Sequence, residues 1–76
     1  MKEFLEYVVK HLVDNHDKIS IETEEKDDKV VFRLRVDDSD LGKIIGRRGR
    51  TAQALRTLLS ALAAKERKRA IIEIIE

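Results

Sequence analysis

The amino-acid sequence predicts an α+β fold: a three-stranded mixed sheet with three helices on one face, in the order α-β-β-α-α-β. Three patterns carry that prediction. Apolar residues recur at helical spacing in an early and a late segment. Two neighbouring segments between them alternate apolar and polar residues, as half-buried strands do. A short β-branched run closes the chain and favours a strand over a further helix.

Each element follows in order. From Lys2 to about Asn15, Leu5, Val8, Val9, Leu12 and Val13 form one apolar stripe with Glu and Lys opposite, a first helix covering the core. Ile19, Ile21 and Thr23 alternate with Ser20, Glu22 and Glu24; Val30, Phe32, Leu34 and Val36 alternate with Val31, Arg33 and Arg35. Glu25 to Asp28 is short and highly charged, so the two strands form an antiparallel hairpin. Asp37, Asp38, Ser39 and Asp40 offer several N-caps for a short helix ending near Ile45. Beyond Gly46 to Gly49, a long helix opens at Arg50 or Thr51, carries Ala52, Leu55, Leu58, Leu59, Leu62 and Ala63 at helical spacing, and stops near Lys65 to Arg67. Ala70 to Ile75 is the last strand. The right-handed crossover rule lays it parallel to the second strand, which becomes the centre of the sheet.

Composition narrows the function. The 76 residues make one domain of marginal core size. Charged residues make up 41%, which implies a densely charged surface. Cysteine is absent, which excludes disulfides, thiolate zinc sites and cysteine nucleophiles and fits a reducing cytoplasm. No segment reads as a signal peptide or membrane span; Phe4 to Val13 is interrupted by Glu6, Lys10 and His11. His11 and His16 have no companion acid at zinc spacing, so no metal or other cofactor is expected. The clustered aspartates sit where turns and caps want them, and no serine has a nucleophile-elbow context, so the chain is not expected to be an enzyme.

The net charge of +1 conceals an asymmetry. Residues 1–40 hold 7 Lys/Arg against 12 Asp/Glu, whereas residues 41–76 hold 9 against 3. The basic excess starts at Lys43, beside Gly46-Arg47-Arg48-Gly49. Two glycines allow close backbone approach, two arginines supply charge, and a helix starting just beyond adds unpaired N–H groups and the positive end of its dipole. That combination suits a phosphate. The alternatives are an ordinary helix-helix turn for the glycines and a solvated loop for the arginines. Lys65 to Arg69 fits a solvated face as well as a binding role.

Leu41-Gly42-Lys43-Ile44-Ile45-Gly46-Arg47-Arg48-Gly49-Arg50-Thr51 resembles the I-G-x-x-G core of KH-domain nucleic-acid-binding proteins, and the element order matches their type II arrangement. Length and the Arg50 to Ser60 helix make the whole chain, residues 1–76, similar to the small bacterial single-KH-domain proteins of the KhpA family. It departs from that family in two places. His16 stands where a proline is common, and no glycine follows the long helix at Glu66-Arg67-Lys68. A left-handed C-cap there would have to form without glycine.

The resemblance implies a single-stranded RNA-binding module of RNA-chaperone or post-transcriptional-regulator type, whose G-x-x-G loop clamps the backbone of about four nucleotides. Its candidate residues are Gly46, Arg47, Arg48 and Gly49, then Lys43 and Arg50, with Gly42, Ile45 and Ala52 walling a groove for bases. Arg56 lies too far along the helix to be assigned. Core packing competes as the role of Ile45 and Ala52, and a tight helix contact as that of Gly42. Only Phe4, Tyr7 and Phe32 are aromatic, too few for a stacking platform.

The resemblance further implies homodimers and/or association with a larger Jag/KhpB-type KH protein. Ala54, Leu58 and Ala61 extend apolar surface beyond a single stripe of the long helix, unless that stripe is simply wide. Two other functions fit less of the sequence: a double-stranded DNA reader using Leu41 to Ile45 and the long helix as helix-turn-helix, and a protein-interaction adaptor without nucleic-acid binding.

Overall fold

The computed structural model describes residues 1–76. Helix α1 (Lys2–Leu12) precedes strands β1 (Ser20–Lys26) and β2 (Lys29–Arg35); helix α2 (Leu41–Ile45), helix α3 (Arg50–Lys65) and strand β3 (Arg69–Ile74) follow. Single 3₁₀ turns occupy His16–Lys18, Asp38–Asp40 and Arg47–Gly49. The α+β class and the element order stand as the sequence predicts.

The sheet order is β1-β2-β3. β1 and β2 are antiparallel with Ile21 opposite Leu34 and Thr23 opposite Phe32, while β3 runs parallel to β2 with Ile72 beside Phe32. Residues in register share a face, so Val30, Phe32, Leu34 and Ile72 point to one side. All four are buried, with Leu5, Val9 and Val13 near α1, Ile44 of α2, and Leu55 and Leu59 of α3. One core between one face and three helices is the expected layer architecture. The other face is open. There Arg33 lies between Glu24 and Glu73, 3.5 Å from each.

The first helix ends sooner than its periodicity indicates. Val13 turns extended at φ −105°, ψ 159°, and the chain leaves the helix after Leu12 rather than near Asn15. The cause lies 25 residues on. The buried Asp40 carboxylate accepts the backbone N–H of Asn15 at 3.0 Å and of Asp14 at 3.3 Å, satisfying donors that would otherwise continue the helix. β1 is also weaker than its alternation implies, because Thr23 and Glu25 on the core-facing side remain exposed. Of its core-facing residues only Ile21, next to α1, is half-buried and packs against the core.

Candidate nucleic-acid interface

The loop is built from α2 and α3 meeting across a tight turn. Gly46 ends α2, its N–H donating to the Gly42 carbonyl at 2.8 Å. It adopts φ 77°, and a Cβ there would lie 2.6 Å from Thr51 Cβ and 2.8 Å from the Thr51 backbone nitrogen. Only glycine lets the loop fold back so closely on the first turn of α3. Arg48 and Gly49 are also left-handed, at φ 58° and 72°. Gly49 precedes α3 with no side chain capping that helix, so the positive end of its dipole is not covered by the protein's own carboxylates or hydroxyls.

Arg47, Arg48 and Arg50 surround a shallow concavity of about 210 Å³. All three are exposed, and none of the chain's ion pairs uses them. Three guanidinium groups around one hollow at a helix N-terminus can accept an anion with forked hydrogen bonds. A slightly larger concavity between Lys2, Glu6, Ile19 and Ile21 draws on α1 and the β1 region, which contribute nothing to the loop.

The remaining sequence candidates separate by environment. Gly42 is exposed and a Cβ there would meet nothing within 4 Å, so no tight helix contact requires it. Ile45 is half-buried and stands outside the core cluster that contains its neighbour Ile44. Ala52 is 5% exposed and belongs to the core. Lys43 is tied down: its ammonium bonds Asp14 and lies 3.1 Å from Asp40.

Asp40 is the residue that sequence reasoning missed. Its candidate role was an N-cap, yet its side chain makes no capping bond to α2. Asp37 instead accepts the Ser39 N–H at 3.1 Å. The 1%-exposed Asp40 side chain binds the Asn15 backbone and side-chain amides, the Asp14 N–H and Lys43. The Asn15 N–H is the first cause holding its carboxyl well below the usual range, against the opposing effect of burial. The Lys43 pKa is raised, first by Asp14 and then by Asp40. This network fastens the exit of α1 to α2, the helix that delivers the loop. The only sequence signal was an Asp-Lys pair at i, i+3 spacing.

A family model described as "KhpA/KhpB, KH domain" matches residues 2–74. The chain belongs to the KhpA/KhpB KH-domain family. This KH domain is 47% identical, over its full length and 96% of the relative's, to the RNA-binding protein KhpA of Aquifex aeolicus. It is 49% identical to that of Borreliella burgdorferi, covering 97% of this chain and 90% of the relative. With that of Caldanaerobacter subterraneus it shares 44%, over 99% of this chain and all of the relative. No solved structure gives a significant match. The type II element order of this KH domain places its G-x-x-G segment at Gly46 to Gly49, the loop described above.

The far side of α3 also bears on function. Ala54, Leu58 and Ala61 are exposed, Leu58 by 49%, so the apolar stripe is not merely a wide core-facing one. Phe4, Leu58, Ala61, Leu62 and Lys65 line a groove of about 200 Å³. No helix of the chain is long and apolar enough to cross a membrane.

Proposed function

We propose that this chain, as a single KH domain over residues 1–76, is a non-enzymatic cytoplasmic module that binds single-stranded RNA, of RNA-chaperone or post-transcriptional-regulator type. The observation that carries the proposal is the trio Arg47, Arg48 and Arg50, unpaired around one hollow at the start of α3. RNA as the ligand rests on the relatives, which are named RNA-binding proteins.

In this proposal Gly46 and Gly49 admit the backbone, loop amides and the three arginines hold phosphates, and Gly42 and Ile45 wall the path of the bases above Ala52. Lys43 acts from its Asp14–Asp40 network as the residue that positions α2. One such groove reads too few bases for strong selectivity, so useful affinity needs two domains together. The exposed Leu58 groove supports a homodimer and/or a heterodimer with a larger Jag/KhpB-type KH protein.

Competition tests the ligand. Unlabelled single-stranded RNA should displace a bound RNA oligomer at far lower concentration than duplex DNA; displacement by duplex at equal or lower concentration sinks the proposal. Sedimentation of Leu58→Lys tests the dimer, and an unchanged mass distribution removes the groove from it.

A further inference from the structure

Strand β3 is an edge of the sheet, and alternate backbone groups along it have no partner. In a parallel pair every second residue turns its N–H and C=O groups to the neighbouring strand. Arg69 donates to the Asp28 carbonyl at 2.7 Å and Ile75 to the Leu34 carbonyl at 2.9 Å, so the odd-numbered residues bond to β2. The backbone groups of Ala70, Ile72 and Ile74 therefore point outward, and no strand lies beyond them in the order β1-β2-β3. The opposite edge, β1, carries exposed charges at Glu22, Glu24, Glu25 and Lys26, which discourage a further strand from pairing there. β3 has only Arg69 and Glu73 among Ala70, Ile71, Ile72 and Ile74.

Those two charges are placed to meet a second copy of the same strand. An antiparallel copy centred on Ile71 sets Arg69 opposite the partner's Glu73 and, by two-fold symmetry, Glu73 opposite the partner's Arg69. Ala70 and the partner's Ile72 then stand opposite each other with outward backbone groups on both, and can exchange N–H···O=C bonds in both directions. Ile71 lies beside Val31 on the open face, and both are half-buried. Set against the partner's Ile71, they become one apolar stripe across both sheets. Centring the pair on Ala70 or Ile72 instead sets Arg69 against the partner's Ile71 or Ile75 and loses the charge match. Arg69 also needs a carboxylate: in register it stands beside Lys29, and Lys29 beside Lys26, yet it has no ion pair within the chain.

We propose that β3 is a self-association edge, at which two copies of this chain pair antiparallel over Arg69 to Glu73 and join their sheets into one. Residues opposite each other share a face, so both helical layers and both Gly46 to Gly49 loops lie on the same side of the joined sheet. No residue lining the Leu58 groove belongs to β3, so the two surfaces can be varied separately. The pairing does not depend on RNA. A contact of one short strand a side falls below the usual size for a stable dimer, so association is weak and develops between about 10 μM and 1 mM.

Sedimentation equilibrium of the intact chain tests the pairing. The mean mass should rise from that of one chain toward that of two across this concentration range. Arg69→Glu alone and Glu73→Arg alone each set like charges opposite at two places in the dimer and should weaken association about 30-fold. Combined, the two substitutions restore both pairs with the signs reversed and should recover it. A wild type that keeps the mass of one chain throughout overturns the proposal, as does a double variant no better than the single ones. If Leu58→Lys abolishes association that both charge changes leave untouched, the copies meet at the helix groove and the proposal falls. Amide exchange reads the same edge without any substitution. The outward N–H groups of Ala70 and Ile72 should exchange more slowly as concentration rises, while those of Ile71 and Glu73, already bonded to β2, should not change. Equal rates for Ala70 and Ile72 at low and high concentration overturn the pairing.

Discussion

The two ends of α3 meet similar backbone demands with different residues. At its start, Gly46 and Gly49 take positive φ with Arg48 between them; at its end, Arg67 takes positive φ without any glycine. The difference shows what each glycine is for. A left-handed residue costs roughly 1–2 kcal/mol when it carries a Cβ, and Arg48 and Arg67 show that this fold bears such a cost. Gly46 is required for a further reason, the absence of room against Thr51. Gly49 has open space around its missing Cβ, so its need is conformational rather than steric.

The sharpest way to break the comparison is at the loop's charge. Arg47→Asp with Arg48→Asp should lower RNA affinity about 100-fold, as loss of two charge-assisted contacts worth ~1.5 kcal/mol each implies. Circular dichroism and Tm should stay near wild type, since neither side chain is buried. Unchanged RNA binding in that folded variant removes the loop from the site. Gly46→Ala should act on the fold instead. Strain at φ 77° and collision with Thr51 add to roughly 2–3 kcal/mol of lost stability. Gly49→Ala, strained but uncrowded, should lose only ~1 kcal/mol. Equal losses in urea melts would erase the distinction between the two glycines.

The ends also differ in anchorage. α2, which delivers the loop, is fastened to the exit of α1 through Asp40 and Lys43, whereas the only ion pair at the far turn is Lys68 with Glu25. Asp40 has its pKa lowered on folding, chiefly by the Asn15 N–H. Such a carboxyl contributes stability that is fully present above its unfolded pKa, about 4, and is lost as pH falls below that value. Wild-type stability should therefore drop from about pH 4 downward. Asp40→Asn should be less stable at pH 7 and show a flatter acid limb. Native-state amide exchange should quicken at Asp14, Asn15 and α2 before the Glu66–Lys68 turn. Parallel acid limbs in the two proteins would show that Asp40 does not carry this dependence.

These contrasts follow what was legible in the sequence. The three strands and the long helix could be read because local periodicity records a buried face: Val30, Phe32 and Leu34 lie where alternation puts them. The exposed turn at Gly46 to Gly49 was legible because glycine supplies positive φ and arginine avoids a core; both glycines take positive φ and both arginines are exposed. The end of α1 and the engagement of Lys43 were not, since both depend on Asp40, whose partners Asp14 and Asn15 lie 26 and 25 positions away. An aspartate beside a helix start looks like a cap whether or not it serves as one. Ile44 and Ile45 look alike in sequence, yet only Ile44 is in the core. A five-residue helix is too short for periodicity to separate its faces.

The mildest substitution asks whether Gly42 belongs with the structural glycine Gly46 or with the open one, Gly49. It sits inside α2 without positive φ, and its missing Cβ would touch nothing. Alanine there should stabilise the protein by about 0.5–1 kcal/mol, the usual gain for replacing glycine within a helix. If the groove runs past Gly42, the added methyl should at the same time weaken RNA binding a few-fold without changing the salt slope, because it narrows the path of the bases and leaves every phosphate contact intact. Higher stability with undiminished affinity would place the bases elsewhere and restrict the site to the arginine loop.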